Sequence, residues 1–193
     1  MNQNAFQQFW VVGVEDGGFS RKIVDSGGSK ALLVSVLFVG TWFYDFQLDK
    51  IMVDGLDATE KLSKMLRRWS FDAVMLAGVS FAGFNLVDST YIFKEFKKPV
   101  IMVSRAKPNN VSVKSALRQH FKDWRTRWSV FQKLGPVYEV VSMVDEPPIY
   151  VEVVGTRFDW AERLLGSLAT CCRIPEPIRV AKLIARGLTE RAT

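Results

Sequence analysis

The order of the apolar patterns along this chain restricts its fold more than any other feature. Three segments, at residues 9–14, 31–40 and 42–53, combine apolar runs or alternation with the β-branched and aromatic content of strands. Because the connections between them are short, they are predicted to form an antiparallel meander. From residue 57 onwards, helical patterns alternate with short apolar strands.

This second region predicts a helix that begins at Asp57, a strand at 73–79, a helix at 87–96 and a strand at 99–103. Three antiparallel strands followed by helix, strand, helix and strand is the order of a ribonuclease-H-like core. We therefore predict an α/β fold with a mixed five-stranded sheet and helices on both faces, although other mixed α/β folds share parts of this order. The remaining predicted elements are a loop at 22–29, helices at 109–121 and 124–134, a supplementary hairpin of 137–141 with 149–154, and helices from about Asp159 and from Pro175.

Length and composition agree with one domain that spans residues 1–193. The chain has 193 residues, of which 48% are hydrophobic, enough to bury one substantial core. No apolar run approaches the roughly 20 residues of a membrane span. The first residues lack the basic and apolar regions of a signal peptide, so a cytoplasmic location is expected.

The charge balance favours polyanionic partners. The formal net charge is +6 at pH 7, which supports phosphate contacts and counterion release on nucleic acid. A membrane surface is less supported, since no basic amphipathic helix stands apart from the predicted fold.

Acidic residues follow two of the predicted strands and point to a divalent metal. Asp16 ends the first strand and precedes Gly17, while Glu15 is expected to point to the opposite face, so only Asp16 is predicted to face the site. Asp54 ends the third strand and precedes Gly55. Carboxylates that converge from different elements suit Mg²⁺ or Mn²⁺ and metal-dependent phosphodiester cleavage.

The other acids have structural alternatives. Helix capping explains Asp57 and Glu60, and Asp88 is either a third metal ligand or an acid in the first turn of a helix. Glu176 is a candidate fourth acid. The chain has no nucleophilic triad, P-loop or dinucleotide fingerprint.

The segment before the last helix has an unusual composition. Pro175 and Pro177 enclose Glu176 and indicate a rigid helix start, where an acid is favoured by the helix dipole. Basic side chains around and after this motif form either a nucleic-acid-binding surface or an ordinary solvated face. They are Arg173, Arg179, Lys182 and Arg186.

Four motifs together resemble a known family. They are GVEDG at 13–17, VDGLDATEK at 53–61, AGFNLVD at 82–88 and the stretch at 173–187. The combination closely resembles the mainly archaeal family labelled domain of unknown function 99, over nearly the whole chain. That family looks like a relative of endonuclease V, which has a ribonuclease-H-like fold and uses Mg²⁺ to cut nucleic acid beside deaminated adenine.

The resemblance to endonuclease V implies site roles position by position. Asp16 stands where that family has its first-strand aspartate, and Asp54 stands where it has a glutamate followed by glycine. Arg105 falls at the place of a lysine after the fifth strand, where arginine can contact phosphate but cannot act as a base. The Pro-Glu-Pro helix start with its following arginine matches Glu176 and Arg179 with their flanking prolines, and Lys182 corresponds to a later polar residue that is often histidine.

Two departures from endonuclease V concern its third acid and its strand-opening wedge. Ala77-Gly78 stands in place of an Asp-Gly pair, and Asp88 is the candidate replacement from the next helix. The Pro-Tyr-Ile-Pro wedge is absent; Tyr44 lies at a similar chain distance before Asp54 and is interpreted as a packed strand residue.

Three functional hypotheses follow. The first is a metal-dependent nuclease in which Asp16, Asp54 and Asp88 hold one or two Mg²⁺ while Lys182 and Arg105 neutralise phosphate charge. The second is a non-catalytic nucleic-acid-binding or regulatory protein on the same fold, suggested by Ala77. The third is hydrolysis or binding of a small phosphorylated metabolite by the same acids. We adopt the nuclease hypothesis, with DNA or RNA as the partner.

Overall fold

The computed structural model describes residues 6–19 and 29–189, and these form one large mixed sheet flanked by helices. Most of the predicted loop at 22–29 lies outside the described residues. The strands of the sheet are β1 (Trp10–Asp16), β2 (Lys30–Val39), β3 (Trp42–Met52), β4 (Ala73–Leu76), β7 (Val100–Ser104), β8 (Tyr138–Val140) and β9 (Ile149–Val154). A separate short hairpin is formed by β5 (Ser80–Phe81) and β6 (Asn85–Leu86).

The sheet order is β3-β2-β1-β4-β7-β9-β8. The first three strands form the predicted antiparallel meander. β4 pairs parallel to β1, and β7 pairs parallel to β4. The prediction of five strands is corrected to seven, because the supplementary hairpin β8–β9 adds to the sheet antiparallel to β7 rather than standing apart.

Helices cover both faces of the sheet, as predicted. They are α1 (Ala58–Leu66), α2 (Ser89–Phe96), α3 (Asn110–His120), α4 (Trp124–Gln132), α5 (Phe158–Leu168) and α6 (Glu176–Thr189). The core on one face contains Val12, Val14 and side chains of α1 and α2; the core on the other contains Val11 and side chains of α5 and α6. No helix in the described ranges is long and apolar enough to cross a membrane.

The last helix runs alongside β1 because the strand has a glycine at the contact. A Cβ atom on Gly13 would lie 2.2 Å from the carbonyl carbon of Pro177, so only glycine permits this approach. Near the other end of the contact, the Gly18 N–H donates to Thr189 Oγ1 at 3.3 Å. α6 is thereby placed beside the acidic end of β1.

Candidate metal and nucleic-acid site

Asp16 and Asp54 meet at one turn, the connection between β5 and β6. The Ala82 N–H donates to Asp16 Oδ2, and the Phe84 N–H donates to Asp54 Oδ1 at 2.8 Å. Asp16 arrives from the end of β1 and Asp54 from just beyond β3. Two carboxylates far apart in sequence are therefore fixed by N–H groups two residues apart in the same turn.

The backbone at this turn is adapted to the contact. Asp54 has a φ of 56°, and its own N–H donates to the Ala82 carbonyl at 2.8 Å. Gly83 has a φ of +85°, and a Cβ atom there would lie 2.2 Å from Asp54 Oδ1. The turn thus needs glycine at residue 83 for both conformation and space.

Glu15 and Asp16 are adjacent, largely buried carboxyl groups at the end of β1. Burial raises the pKa of Glu15 to about 7, with Lys182 acting in the opposite direction and Asp16 in the same one. Burial also raises the pKa of Asp16. The two side chains leave β1 on opposite faces, as predicted: Glu15 is level with Val34 on the α6 side of the sheet, and Asp16 is level with Leu33 in the core on the other side.

Lys182 approaches this pair from α6. Its Nζ lies 3.7 Å from Glu15 Oε2, and its side chain is 24% exposed. The site therefore contains two neighbouring acids with one nearby cation. Of the site residues predicted from the sequence, Asp16, Asp54 and Lys182 therefore lie together.

Arg127, on α4, supports the candidate site and was not among the residues predicted from the sequence. Only 5% of it is exposed, and its guanidinium donates to the carbonyls of Asp54, Gly55 and Phe84 at 2.6–2.9 Å. Its Nε also pairs with Asp123 at 3.1 Å. The arginine thus ties the Asp54 loop to the turn after β5. No sequence motif distinguishes it from the many surface arginines.

The predicted capping by Asp57 and Glu60 is wrong, although α1 starts where expected. Asp57 accepts from the Met52 N–H at 3.2 Å and from Asn85 at 2.6 Å, while Glu60 pairs with Lys64. Asn85 Oδ1 accepts from the Ala58 N–H at 2.9 Å and supplies the cap instead. The buried amide also links this helix start to the β5–β6 hairpin.

The sequence left two roles open for Asp88, a metal ligand or an acid at the start of a helix, and the structure shows the second. Its Oδ1 caps α2 by accepting from the N–H groups of Thr90 and Tyr91, and its Oδ2 pairs with Lys133 at 2.5 Å. Burial works to raise the pKa of Asp88, but the bonds from Lys133, Thr90 and Tyr91 lower it overall. Its oxygens are occupied by the helix and by Lys133.

The donor chemistry at the β5–β6 turn suits a hard cation. Asp16 and Asp54 offer carboxylate oxygens, and Mg²⁺ is commonly held by one or two carboxylates with water and substrate phosphate. Across residues 6–19 and 29–189, no group of three or more His, Cys, Asp or Glu side chains is placed to hold a metal. The residues therefore fit a site with few protein ligands rather than a complete protein cage.

The α6 motif is mostly structural. Arg179 pairs with Glu176 at 2.6 Å, and Arg173 donates to the carbonyls of Pro147 and Pro148. Burial works to raise the pKa of Glu176, but the bonds from Arg179 and Thr170 lower it overall. The predicted roles of Glu176 as an extra acid, and of Arg173 and Arg179 as a binding surface, are corrected accordingly. Arg186 is exposed.

Arg105 and Tyr44 lie at opposite ends of the molecule. Arg105 follows β7 directly and is exposed, at the edge where the parallel strands end. Tyr44 is near the start of β3, 64% exposed, with its ring 4.9 Å from that of Trp10. Ten residues of extended chain, about 33 Å, separate it from Asp54. Tyr44 is therefore not part of this site; it is a strand residue that packs its ring against Trp10, as predicted, but stays largely exposed.

A second basic surface, formed by α3 and α4, was not found from the sequence. Lys114 lies over the ring of Trp128 at 5.1 Å, and Arg118 and Arg125 lie over the ring of Trp124 at 5.4 and 4.7 Å. The three cations are exposed, and none of them pairs with a carboxylate of a described residue. We call these five residues the α3–α4 basic surface. The alternation of cations and aromatic residues in 114–128 was its only sequence signal.

Comparison with known proteins identifies similar sequences in archaea. The family model described as endonuclease dU matches residues 7–189. A UPF0215 protein of Methanosarcina acetivorans is 36% identical over 183 residues, which are 92% of this chain and 89% of that protein. A UPF0215 protein of Methanopyrus kandleri is 35% identical over 185 residues, 93% of this chain and 91% of the relative.

Solved structures share the fold. A protein of unknown function from Archaeoglobus fulgidus has a TM-score of 0.80 and 29% identity, over 93% of this chain and 98% of that one. Endonuclease V of Ciona intestinalis, in complex with a 24mer DNA containing an inosine followed by a ribo-adenosine, has a TM-score of 0.61 and 15% identity, over 96% of this chain and 87% of that one. The endonuclease V from Bacillus subtilis has a TM-score of 0.60 at 12% identity, over 99% of this chain and 84% of that one.

Proposed function

The chain belongs to the endonuclease dU family, and from this premise we propose that it cleaves phosphodiester bonds of nucleic acid beside deaminated bases. The fold it shares with endonuclease V is the scaffold for this activity. The family description supplies deoxyuridine as a candidate damaged nucleotide, and the DNA bound to the Ciona enzyme contains inosine.

One observation carries the proposal: Asp16 and Asp54 converge on the turn that follows β5. Both are hydrogen-bonded to backbone N–H groups of that turn, so their positions are fixed before substrate binds. A site that is organised in advance loses little free energy to reorganisation during the reaction.

Asp16 and Asp54 are the proposed ligands of Mg²⁺ or Mn²⁺, with Glu15 beside them. A bound divalent ion supplies Lewis acidity at a phosphoryl oxygen and promotes ionisation of water. Lys182, held beside Glu15, offers positive charge next to the acids. Arg105, exposed at the same edge of the sheet, is available to a phosphate of the substrate.

The α3–α4 basic surface is the proposed track for the substrate strand. Its cations match the phosphates, and its tryptophan rings can stack on unpaired bases. In this proposal it replaces Arg173 and Arg179, whose guanidinium groups are already bound within the protein.

The decisive experiment is cleavage of labelled single- and double-stranded DNA and RNA with uracil, inosine or unmodified bases, in Mg²⁺ and in Mn²⁺. Asp16→Asn and Asp54→Asn are expected to lower the rate at least a hundredfold while the thermal unfolding midpoint stays near that of the wild type.

Asp88→Asn is the matched control, because asparagine can still cap α2. It is expected to retain most activity. Loss of activity in a folded Asp88→Asn variant would place Asp88 in the metal site, and unchanged activity in Asp16→Asn would refute the proposed ligands.

A second function is favoured by Ala77, which stands where endonuclease V has its third acid. With only two or three acids at the turn, the protein can be a nucleic-acid-binding factor that does not cleave. This alternative predicts salt-sensitive binding without divalent metal and no metal-dependent cleavage of any of these substrates.

A further inference from the structure

A cavity of about 220 Å³ lies at the carboxyl ends of β4 and β7. Its walls include Gly78 and Ser80, which follow β4, and Ser104 and Ala106, at the end of β7. Glu152, on β9, also lines it. The volume is below the roughly 300–1,000 Å³ of sites for drug-sized ligands, which suits a single ring system.

Glu152 is an unusual residue in the lining of this cavity, because it is a buried acid. Only 5% of the residue is exposed, yet its carboxyl group has no hydrogen bond or ion pair with any described residue. Burial raises its pKa to about 6, and no other ionisable side chain is among the described residues that line the cavity. Its oxygens are not among the fully enclosed unpaired atoms of the described residues, so a hydrogen-bond donor that enters the cavity can reach them.

The strand register gives the position of Glu152 relative to Asp16. Glu152 is paired across the sheet with Met102, and Met102 is paired with Leu76. Leu76 is paired in turn with Val14, which lies two residues before Asp16. Three strand spacings and two residues correspond to about 16 Å. Since Val14 and Met102 contribute to the same core, Glu152 and Asp16 project from the same face of the sheet. Glu152 is thus too far away to share a metal ion with Asp16.

Two chain segments connect the cavity to the carboxylate site. Ser80 lines the cavity, and two residues later Ala82 donates to Asp16. Arg105 lies in the chain between Ser104 and Ala106, which both line the cavity, and its side chain is exposed. A nucleotide can therefore place its ring in the cavity while its backbone passes Arg105 and the acids.

We propose that this cavity receives one unstacked nucleobase and that Glu152 selects bases with a ring N–H beside a carbonyl, as in uracil and hypoxanthine. The proposal rests on the nuclease function above and names the residue that reads the base. The Glu152 carboxylate accepts the ring N–H. Cytosine and adenine present a bare ring nitrogen at that position, which would face the carboxylate with two acceptors in contact. Val79, Val113 and Phe131 provide apolar contact for the ring.

The test is equilibrium binding of short fluorescent single strands in EDTA, so that cleavage does not consume the probe. The strands consist of adenines with one central uracil, N3-methyluracil or cytosine. N3-methylation removes only the donor that Glu152 is proposed to read. The wild type is expected to bind the uracil strand about tenfold more tightly than the other two, the effect of one hydrogen bond to a charged group.

Two substitutions at Glu152 separate recognition from folding. Glu152→Leu should bind all three strands equally, while Glu152→Gln should bind the uracil and cytosine strands alike, because its amide can accept from uracil or donate to cytosine, and should bind the N3-methyluracil strand more weakly. Ala106→Trp, at the exposed rim of the cavity, should abolish the preference without a change in the buried core.

Equal binding of the three strands by the wild type, or a preference retained in Glu152→Leu, would overturn the proposal. The nuclease function fails separately: a uracil preference without metal-dependent cleavage leaves the cavity assignment standing and removes the nuclease. Metal-dependent cleavage at the same rate whichever base is present would leave the nuclease function standing and remove the cavity assignment.

Discussion

At the scale of single residues, the candidate site depends on contacts that leave no room for substitution. Gly83 packs against the Asp54 carboxylate in a conformation that disfavours other residues. Asp16 contributes to raising the pKa of Glu15, although the two side chains leave β1 on opposite faces. These details determine where each carboxylate oxygen lies, so single substitutions can test them.

Gly83→Ala is expected to lower stability by about 1–2 kcal/mol, from its positive φ, and to reduce cleavage strongly. The added methyl group would displace Asp54 Oδ1, which lies 2.2 Å from the position of the new Cβ. Thermal unfolding and the cleavage rate measure the two effects.

Gly18→Ala is the control for that change. Its Cβ atom would meet only Thr189 Oγ1 at 3.6 Å, an ordinary contact, and its activity should stay near that of the wild type. Similar losses in both variants would show that the position of Asp54 is not the cause.

Glu152 predicts a pH dependence of stability. Its pKa is about 6 in the folded protein against 4.5 for the free group, so the folded state binds the proton more tightly. The wild type should therefore lose stability relative to Glu152→Gln as the pH rises from about 4.5 to about 7.

The unfolding midpoints of these two proteins, measured from about pH 4.5 to about pH 7.5, test this sign. The difference should shift in favour of the glutamine variant by a few degrees. A difference that does not change with pH would mean that Glu152 is solvated or already paired.

At the scale of elements, the site is assembled by contacts between pieces that are distant in sequence. The β1–β4–β7 pairing brings the ends of three strands to one edge, and α6 approaches β1 where Gly13 permits it. Arg127 joins α4 to the loop after β3 and to the turn after β5. A single side chain thus fixes three elements.

Arg127→Lys should lower stability by about 2–4 kcal/mol, because lysine cannot reach three carbonyls at once and leaves buried acceptors unpaired. It should also reduce cleavage through movement of Asp54. Denaturant unfolding and single-turnover kinetics measure the two effects.

Arg118→Lys, on an exposed face of α3, is the matched substitution and should leave stability unchanged. If Arg127→Lys were equally neutral, the loop contacts of Arg127 would not support the site.

At the scale of the whole molecule, positive charge is divided between two surfaces with different tasks. The arginines around the start of α6 hold the chain together, whereas the cations of the α3–α4 basic surface remain exposed. Net charge alone does not distinguish these roles.

Salt dependence of binding separates the two surfaces. Replacement of Lys114, Arg118 and Arg125 by glutamine should reduce the slope of log K against log salt by roughly 2, at about 0.7 per lost phosphate contact on single strands. Replacement of Arg173 and Arg179 should instead leave the slope unchanged and lower the unfolding midpoint. The opposite pattern would move the nucleic acid to α6.

The order of the elements, the meander and the helices on both faces could be predicted from the amino-acid sequence, because hydrophobic period and turn residues are local properties. The sequence also placed Asp16 and Asp54 at the ends of two strands, and its motifs identified the family. The addition of β8–β9 to the sheet was not foreseen, since strand pairing across a long connection has no local signal.

Which side chains meet could not be predicted in this way, because it depends on how distant elements pack. Asp88 caps α2 and pairs with Lys133, and Glu15 pairs with Lys182. Arg127 and Glu152 are buried against residues tens of positions away in the chain, among them Gly55 and Met102. A side chain's partners, burial and pKa are set by what other elements place around it. The residue types in a pattern therefore indicate a chemistry, whereas their packing determines which of them perform it.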